Sequence, residues 1–196
     1  MYKRQLLNCN LIIDGFLDAY DPNSTLNALN KIGASILKKD GKVILSKRKT
    51  PFIHPVEDLD LGNSGTGARL LLGLVSGLGL NAKFVGDSSL SNRPMSRVVD
   101  PLKEMGACIE TNDGKLPIKT SGGKIINRFE YRMPIASAQV KSCLILAAAS
   151  SNTEIKIFEP KITRDHTERM IEYFGGDIKY GNSKRLGEIK LNKTNL

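Results

Sequence analysis

PLKEMGACI, residues 101–109, reads as the end of an amphipathic helix, stopped at Gly106 and followed at once by a strand that contains Ile109. The same phrase occurs upstream as LNALNKIGASI (Leu26–Ile36) and downstream as MIEYFGGDI (Met170–Ile178), with Gly33 and Gly175 in the stopping position. Glycine serves there because the residue after a helix adopts a left-handed conformation that a Cβ disfavours. The intervals are 106 − 33 = 73 and 175 − 106 = 69 residues, a near-constant period that marks repeated supersecondary units.

Working outward, a second helix stands upstream at the same phase in two copies, over 66–78 and 137–149, and a short strand follows each, over 82–85 and 154–158. The predicted order is strand, helix, strand, helix and a closing hairpin: an α/β protein of repeated βαβαββ units with right-handed crossovers. The first copy has a strand-like CNLII (Cys9–Ile13) but no helix and strand before it, so the repeat predicts a chain that starts late. The expected units are a truncated first over 9–47, a second over about 48–120 and a third over about 121–192, with 9–196 forming most of one globular domain of a two-domain protein. Residues 1–8 fit no repeat position, and MYKRQ (Met1–Gln5) reads as a non-native or disordered start.

Composition narrows the function. With 40% hydrophobic and 25% charged residues the chain reads as an ordinary globular domain. The longest apolar runs, Leu70–Val75 and Cys143–Ala149, fall far short of the roughly 18–20 residues of a membrane span, and no secretory segment is visible, so a cytoplasmic protein is expected. Cys9, Cys108 and Cys143 are widely spaced and read as core thiols rather than a disulfide or zinc framework. Two histidines, His54 and His166, make a His-rich metal site implausible, and a general base would be Lys, Asp or Glu. The net charge of +9 favours an anionic partner, but there is no basic stripe interleaved with aromatics and no Trp, so small phosphorylated ligands fit better than nucleic acid.

The charges sit where helices begin. GNSGTGARLLLGL (Gly62–Leu74) runs from a Gly, Asn and Ser turn into an apolar helix, with Ser64 or Thr66 as N-cap and free amides suited to an anion. Arg69 lies in the first turn, where a cation is disfavoured by about 0.3–1 kcal/mol unless an anion offsets it or the side chain reaches solvent. One repeat later, PIASAQVKSCLILAAA (Pro134–Ala149) offers Ser137 as cap with Gln139 and Lys141 in the first turn; read blandly, that is a solvated helix end. The loops before the second helices carry Arg93 and Arg97 in one unit and Arg164 and Arg169 in the next, forks suited to phosphate or carboxylate. Asp165 and Glu168 read as a capping pair around a structural His166. Gly122–Lys124 lacks the Ser or Thr of a phosphate loop and reads as a hairpin turn, and Gly77–Gly79 ends a helix rather than opening a dinucleotide site.

LDLGNSGTGARLLLG, GDSSLSNRPMSRVVDPLKEMGA, PIASAQVKSCLILAA and TRDHTERM, in this order and spacing, resemble the 5-enolpyruvylshikimate-3-phosphate synthase family over the chain from about Cys9 onward. The resemblance implies the inside-out α/β barrel-like domain of the enolpyruvyl transferase fold and substrates bound between two domains. It implies transfer of the enolpyruvyl group of phosphoenolpyruvate to the 5-hydroxyl of shikimate 3-phosphate: the methylene carbon is protonated, the hydroxyl attacks its neighbour, and the tetrahedral intermediate expels phosphate. By position, Asn63, Gly65, Arg93 and Gln139 match phosphoenolpyruvate contacts, and Ser137, Ala138, Gln139 and Arg164 match shikimate 3-phosphate contacts, with Thr66, Arg69 and Lys141 in support. No metal or organic cofactor is implied, and the parent enzyme is expected to be monomeric.

The family's N-terminal Asp-Lys-Ser loop and its second domain have no counterpart in these residues, so catalytic groups are expected elsewhere and the chain alone is expected to be inactive and to bind both substrates poorly. Gly at position 65 implies a glyphosate-sensitive parent, since Ala there obstructs the inhibitor. Two other readings compete. One is the related transferase acting on UDP-N-acetylglucosamine, disfavoured because no cysteine lies in a plausible mobile loop; the other is a non-catalytic oxyanion or RNA-end-binding module of similar repeats.

Overall fold

In the computed structural model, residues 10–47, 50–183 and 186–193 are described, and the expectations for Met1–Gln5 and Cys9 lie outside them. Chain order is β1 (Leu11–Ile13), α1 (Tyr20–Lys31), β2 (Ile36–Lys39), β3 (Lys42–Leu45), β4 (Leu59–Asp60), α2 (Gly65–Leu78), β5 (Asn81–Val85), α3 (Ser88–Ser91) and α4 (Ser96–Glu104). There follow β6 (Ala107–Asn112), β7 (Lys115–Gly123), β8 (Arg128–Arg132), α5 (Ala138–Ser151), β9 (Glu154–Glu159), α6 (His166–Tyr173), β10 (Ile178–Ser183) and β11 (Leu186–Leu191).

The repeat is visible as sheet topology. One sheet has the order β4-β5-β7-β6 and another β8-β9-β11-β10. In each, the first two strands pair in parallel across the first helix, and the closing hairpin joins antiparallel. The third sheet, β1-β3-β2, carries the same hairpin on a single preceding strand. The helix-stopping glycines all take the left-handed conformation, with φ of 94° at Gly33, 100° at Gly106 and 82° at Gly175. Two hairpins turn on Asp-Gly pairs with positive φ at both residues, Asp40–Gly41 (51°, 72°) and Asp113–Gly114 (50°, 66°), the twist that two-residue turns favour.

That second turn corrects the expectation of a hairpin turn at Gly122–Lys124. β7 continues to Gly123, whose glycine character is needed because a Cβ there would lie 2.7 Å from the Cys108 amide nitrogen and 2.8 Å from the Gly106 carbonyl oxygen. The end of the strand thus closes onto the helix stop.

The two most deeply buried helices are α2 and α5. Along α5 the residues Val140 to Ile145 and Ala147 to Ser150 are buried, so this helix has no solvent face beyond its ends. It runs parallel to α2, and the two approach backbone to backbone: a Cβ at Gly73 would strike the Cys143 carbonyl, and one at Gly77 the Ala147 carbonyl and Ser150 hydroxyl. Ser150 Oγ donates to the Leu74 carbonyl at 3.3 Å. The strands alternate instead, as in β6, where Ala107 and Ile109 are buried while Cys108 and Glu110 face out. Cys108 is therefore an exposed thiol, not a core one, because its place in the strand's period of two puts it on the outer face. Cys143 is buried as expected, and burial pushes its thiol up to about 12.

Candidate functional site

The parallel packing of α2 and α5 brings two helix N-termini together. Before α2, Asp60 Oδ1 accepts from the Gly62 amide at 2.8 Å and shapes the turn; Ser64, not Thr66, is the N-cap, its Oγ accepting from the Gly67 amide at 3.2 Å. Before α5, Ser137 caps through the Val140 amide at 3.4 Å. Gln139 links the two starts: its Nε2 donates to Thr66 Oγ1 at 2.8 Å, and its Oε1 accepts from Arg69 Nη1 at 3.0 Å.

Arg69 does not reach into open solvent. Its Nη1 also donates to the Gly65 carbonyl at 3.3 Å and its Nη2 to the Pro94 carbonyl at 3.1 Å, so one guanidinium ties both helix starts to the loop after α3. Burial, then the neighbouring Arg93 and Arg97 charges, hold its pKa below the usual arginine value. Arg93 is placed from the other side by Asn63, whose Oδ1 accepts from Arg93 Nη2 and whose Nδ2 donates to Asp87 Oδ2 at 2.9 Å. Asp87 is in turn fixed as N-cap of α3, its Oδ1 accepting from the Leu90 amide at 2.7 Å.

The focus of these groups is Gly65. A Cβ there would lie 2.9 Å from Arg93 Nη1 and 3.1 Å from Arg69 Nη1. Among the described residues, no carboxylate lies within ion-pair distance of Arg69, Arg93 or Arg97; the ion pairs run between other groups. Clustered guanidinium groups beside two helix N-termini make a site of concentrated positive charge, suited to a small oxyanion. A cavity of about 490 Å³ lies elsewhere, beside α1, lined by one lysine and one aspartate among neutral groups, so charge rather than volume marks this site.

Of the residues singled out from sequence, Asn63, Gly65, Thr66, Arg69, Arg93 and Gln139 converge, and Ser137 and Ala138 stand at the start of α5 beside Gln139. Arg164 is exposed in the loop between β9 and α6, with no bond to the cluster in the structure. Lys141 departs from the expectation of an anion-facing cation. Two residues from Gln139 is about 200° around a helix, so Lys141 points the opposite way. It is buried, with Nζ 3.2 Å from Glu159 Oε1 and 2.7 Å from Glu168 Oε1. The capping-pair expectation fails as well: Asp165 is the N-cap of α6 but makes no side-chain cap bond, and Glu168 is held by Lys141. Asp87 and the Pro94 carbonyl escaped sequence reasoning; the GDSS cap signal could have found the first, whereas a backbone acceptor has no sequence signal.

Among the described residues, no group of three or more His, Cys, Asp or Glu is placed to hold a metal ion, and no helix is long and apolar enough to cross a membrane. The profile of EPSP synthase (3-phosphoshikimate 1-carboxyvinyltransferase) matches residues 5–194. The 3-phosphoshikimate 1-carboxyvinyltransferase of Ruthia magnifica subsp. Calyptogena magnifica is 44% identical over 183 residues, 92% of this chain and 42% of that protein. The enzyme of the same name from Streptococcus uberis is 46% identical over 169 residues, 85% of this chain and 40% of its own. The solved EPSP synthase from Acinetobacter baumannii superposes with a TM-score of 0.85 at 36% identity, covering 97% of this chain and 44% of that one. The chain thus spans about two fifths of the length of the curated relatives it matches.

Proposed function

The chain belongs to the EPSP synthase family, and from that premise we propose that it supplies the anion-binding part of an enzyme that transfers the enolpyruvyl group of phosphoenolpyruvate to the 5-hydroxyl of shikimate 3-phosphate. The observation that carries the reading is the convergence of Arg69 and Arg93 on Gly65, with no carboxylate within ion-pair distance of either guanidinium among the described residues.

In this reading phosphoenolpyruvate lies against Gly65, its phosphate or carboxylate taking the charge of Arg93, with Asn63 and Gln139 as further contacts. Asn63 is bonded to both Arg93 and Asp87, which holds the guanidinium in register before a ligand arrives. Shikimate 3-phosphate is assigned to the start of α5, through Ser137, Ala138 and Gln139, with Arg164 from the neighbouring loop. Gln139 is common to both ligands, and its bonds to Thr66 and Arg69 fix its amide between the two helix starts. These groups bind, orient and stabilise the negative charge that develops as phosphate leaves. The proton transfers fall to acid and base groups other than these cations. The proposal extends to a monomeric, cytoplasmic parent enzyme without a nucleic-acid partner.

Titration of the isotope-labelled 196-residue chain with phosphoenolpyruvate, shikimate 3-phosphate and a short 5′-phosphorylated RNA tests this. Phosphoenolpyruvate is expected to shift the Gly65, Thr66 and Gln139 amide resonances, and shikimate 3-phosphate those of 137–139. Shifts scattered over the surface, or RNA bound more tightly than either small molecule, would overturn the reading in favour of the RNA-end-binding alternative or a merely basic surface.

A further inference from the structure

Among the described residues, three ionic side chains away from the guanidinium cluster are buried: Lys141 is 1% exposed, Glu159 2% and Glu168 1%. Lys141 Nζ bridges Glu159 Oε1 and Glu168 Oε1, at 3.2 Å and 2.7 Å. The second oxygen of Glu159 accepts from the Thr163 amide at 3.2 Å and from Thr163 Oγ1 at 2.7 Å, while Glu168 Oε2 has no partner. Two carboxylates therefore share one ammonium, with all three side chains almost wholly buried. As a source of stability this is a poor solution, since apolar side chains of the same volume do as well or better in such places. What the arrangement supplies is geometry. It joins α5, the last residue of β9 and the first turn of α6 at one nitrogen.

The segment it closes is the loop 160–165, which has little else to hold it. Pro160, Lys161, Ile162 and Arg164 are exposed, Ile162 to 55%, and a cavity of about 290 Å³ lined by Lys141, Thr163, Asp165 and Tyr180 lies beside it. The inward anchor on the loop itself is Thr163, and both of its bonds go to Glu159. A Ser142 Oγ to Thr167 Oγ1 contact of 2.7 Å adds a second tie between α5 and α6 just beyond it. We propose that Lys141, Glu159 and Glu168 act as a positioning group that fixes the loop 160–165, and with it Arg164, relative to the start of α5. The ligand assigned to Arg164 rests on the proposed function; the ordering of the loop does not.

Glu159→Gln keeps the shape of the side chain but withdraws charge from the Thr163 acceptor. Amide hydrogen exchange of the 196-residue chain is expected to speed up about tenfold or more over 161–165, with α5 and β9 protected as in the parent. Shikimate 3-phosphate binding is expected to weaken about tenfold, as small misplacements of a binding group do, while phosphoenolpyruvate binding is unchanged. If Glu159→Gln does not fold, the neutral triple variant Lys141→Met, Glu159→Gln, Glu168→Gln replaces it with the same expectations. Loop exchange that stays at the parent rate, or exchange that accelerates uniformly through the chain, overturns the proposal. So does an equal loss of affinity for both substrates. Because the chain alone is expected to bind both substrates poorly, affinities too weak to compare leave the exchange measurement to decide the positioning role by itself; shikimate 3-phosphate shifts that fall away from 137–139 would count against the proposed function instead.

Discussion

Replacing Gly65 by alanine puts one methyl group at the focus of the cationic cluster. The contacts it would make are 2.9 Å to Arg93 Nη1 and 3.1 Å to Arg69 Nη1, against about 3.4 Å for an ordinary close contact, so the guanidinium groups must retreat by 3.4 − 2.9 = 0.5 Å and 3.4 − 3.1 = 0.3 Å. Both are ends of flexible side chains, and Gly65 lies in a helix at ordinary φ, so the fold should stand. Helix propensity even favours alanine, by up to about 0.5–1 kcal/mol in a helix interior. Yet Arg69 is held by three acceptors and Arg93 by Asn63, so the retreat strains bonds that orient the site. A displacement of this size is expected to weaken phosphoenolpyruvate binding about tenfold, or about 1.4 kcal/mol. Glyphosate, which the resemblance implies is obstructed by alanine here, should lose affinity as well. The assay is paired: a urea midpoint for stability, and calorimetric titration of Gly65→Ala and parent with both ligands. An unchanged midpoint with unchanged affinities would refute the placement of the anion at Gly65.

Three further outcomes follow from the same geometry. Arg69→Lys keeps the charge but can reach fewer of the Gly65, Gln139 and Pro94 acceptors, so it should lose about 1–2 kcal/mol of stability at about 0.5–1.5 kcal/mol per lost bond, and lose anion affinity too; affinity preserved by lysine would show that charge alone matters. Gly73→Ala drives a methyl into the Cys143 carbonyl and should destabilise by about 1–3 kcal/mol in urea unfolding, with no such effect at the open Gly181. Cys108 should alkylate readily in the native chain at pH 8, whereas Cys143, its thiol pushed up to about 12, should react only after denaturation, as peptide mass mapping would read. The Cys143 shift also has a sign in stability. The folded state keeps a proton that the unfolded thiol releases above its ordinary value of 9.0, so this contribution is intact below pH 9 and declines towards pH 12.

Much of the fold was legible because its punctuation is local. Gly33, Gly106 and Gly175 stop helices by a property of their own backbone, and their spacing alone exposes the repeat that the sheets then display. The helix starts and their caps were legible for the same reason, since a cap and a first turn are neighbours in sequence. What could not be read depended on which way an element is turned. Gln139 and Lys141 share a first turn, but the close approach of α5 to α2 sends one to the guanidinium cluster and the other into a carboxylate pair 18 and 27 residues downstream, 159 − 141 and 168 − 141. Cys108 looked like a core residue among apolar neighbours, and strand alternation turned it outward. The contact of Arg69 with the Pro94 carbonyl joins distant backbone to side chain, and nothing in the residue type at 94 announces it.

The backbone contact between α2 and α5 has a consequence for how this chain can vary. Where large side chains separate two helices, each exchange of leucine for isoleucine or methionine resets the distance between them. Here Gly73 and Gly77 meet carbonyl groups directly, so the gauge is the thickness of the polypeptide itself. The buried apolar residues of the two helices, Leu71, Leu72, Leu144 and Ile145 among them, can drift while the separation of the two helix starts stays constant. Ancestry can therefore rewrite most of this interior without moving Thr66 away from Gln139, and the few positions closed to change are those with no side chain to exchange.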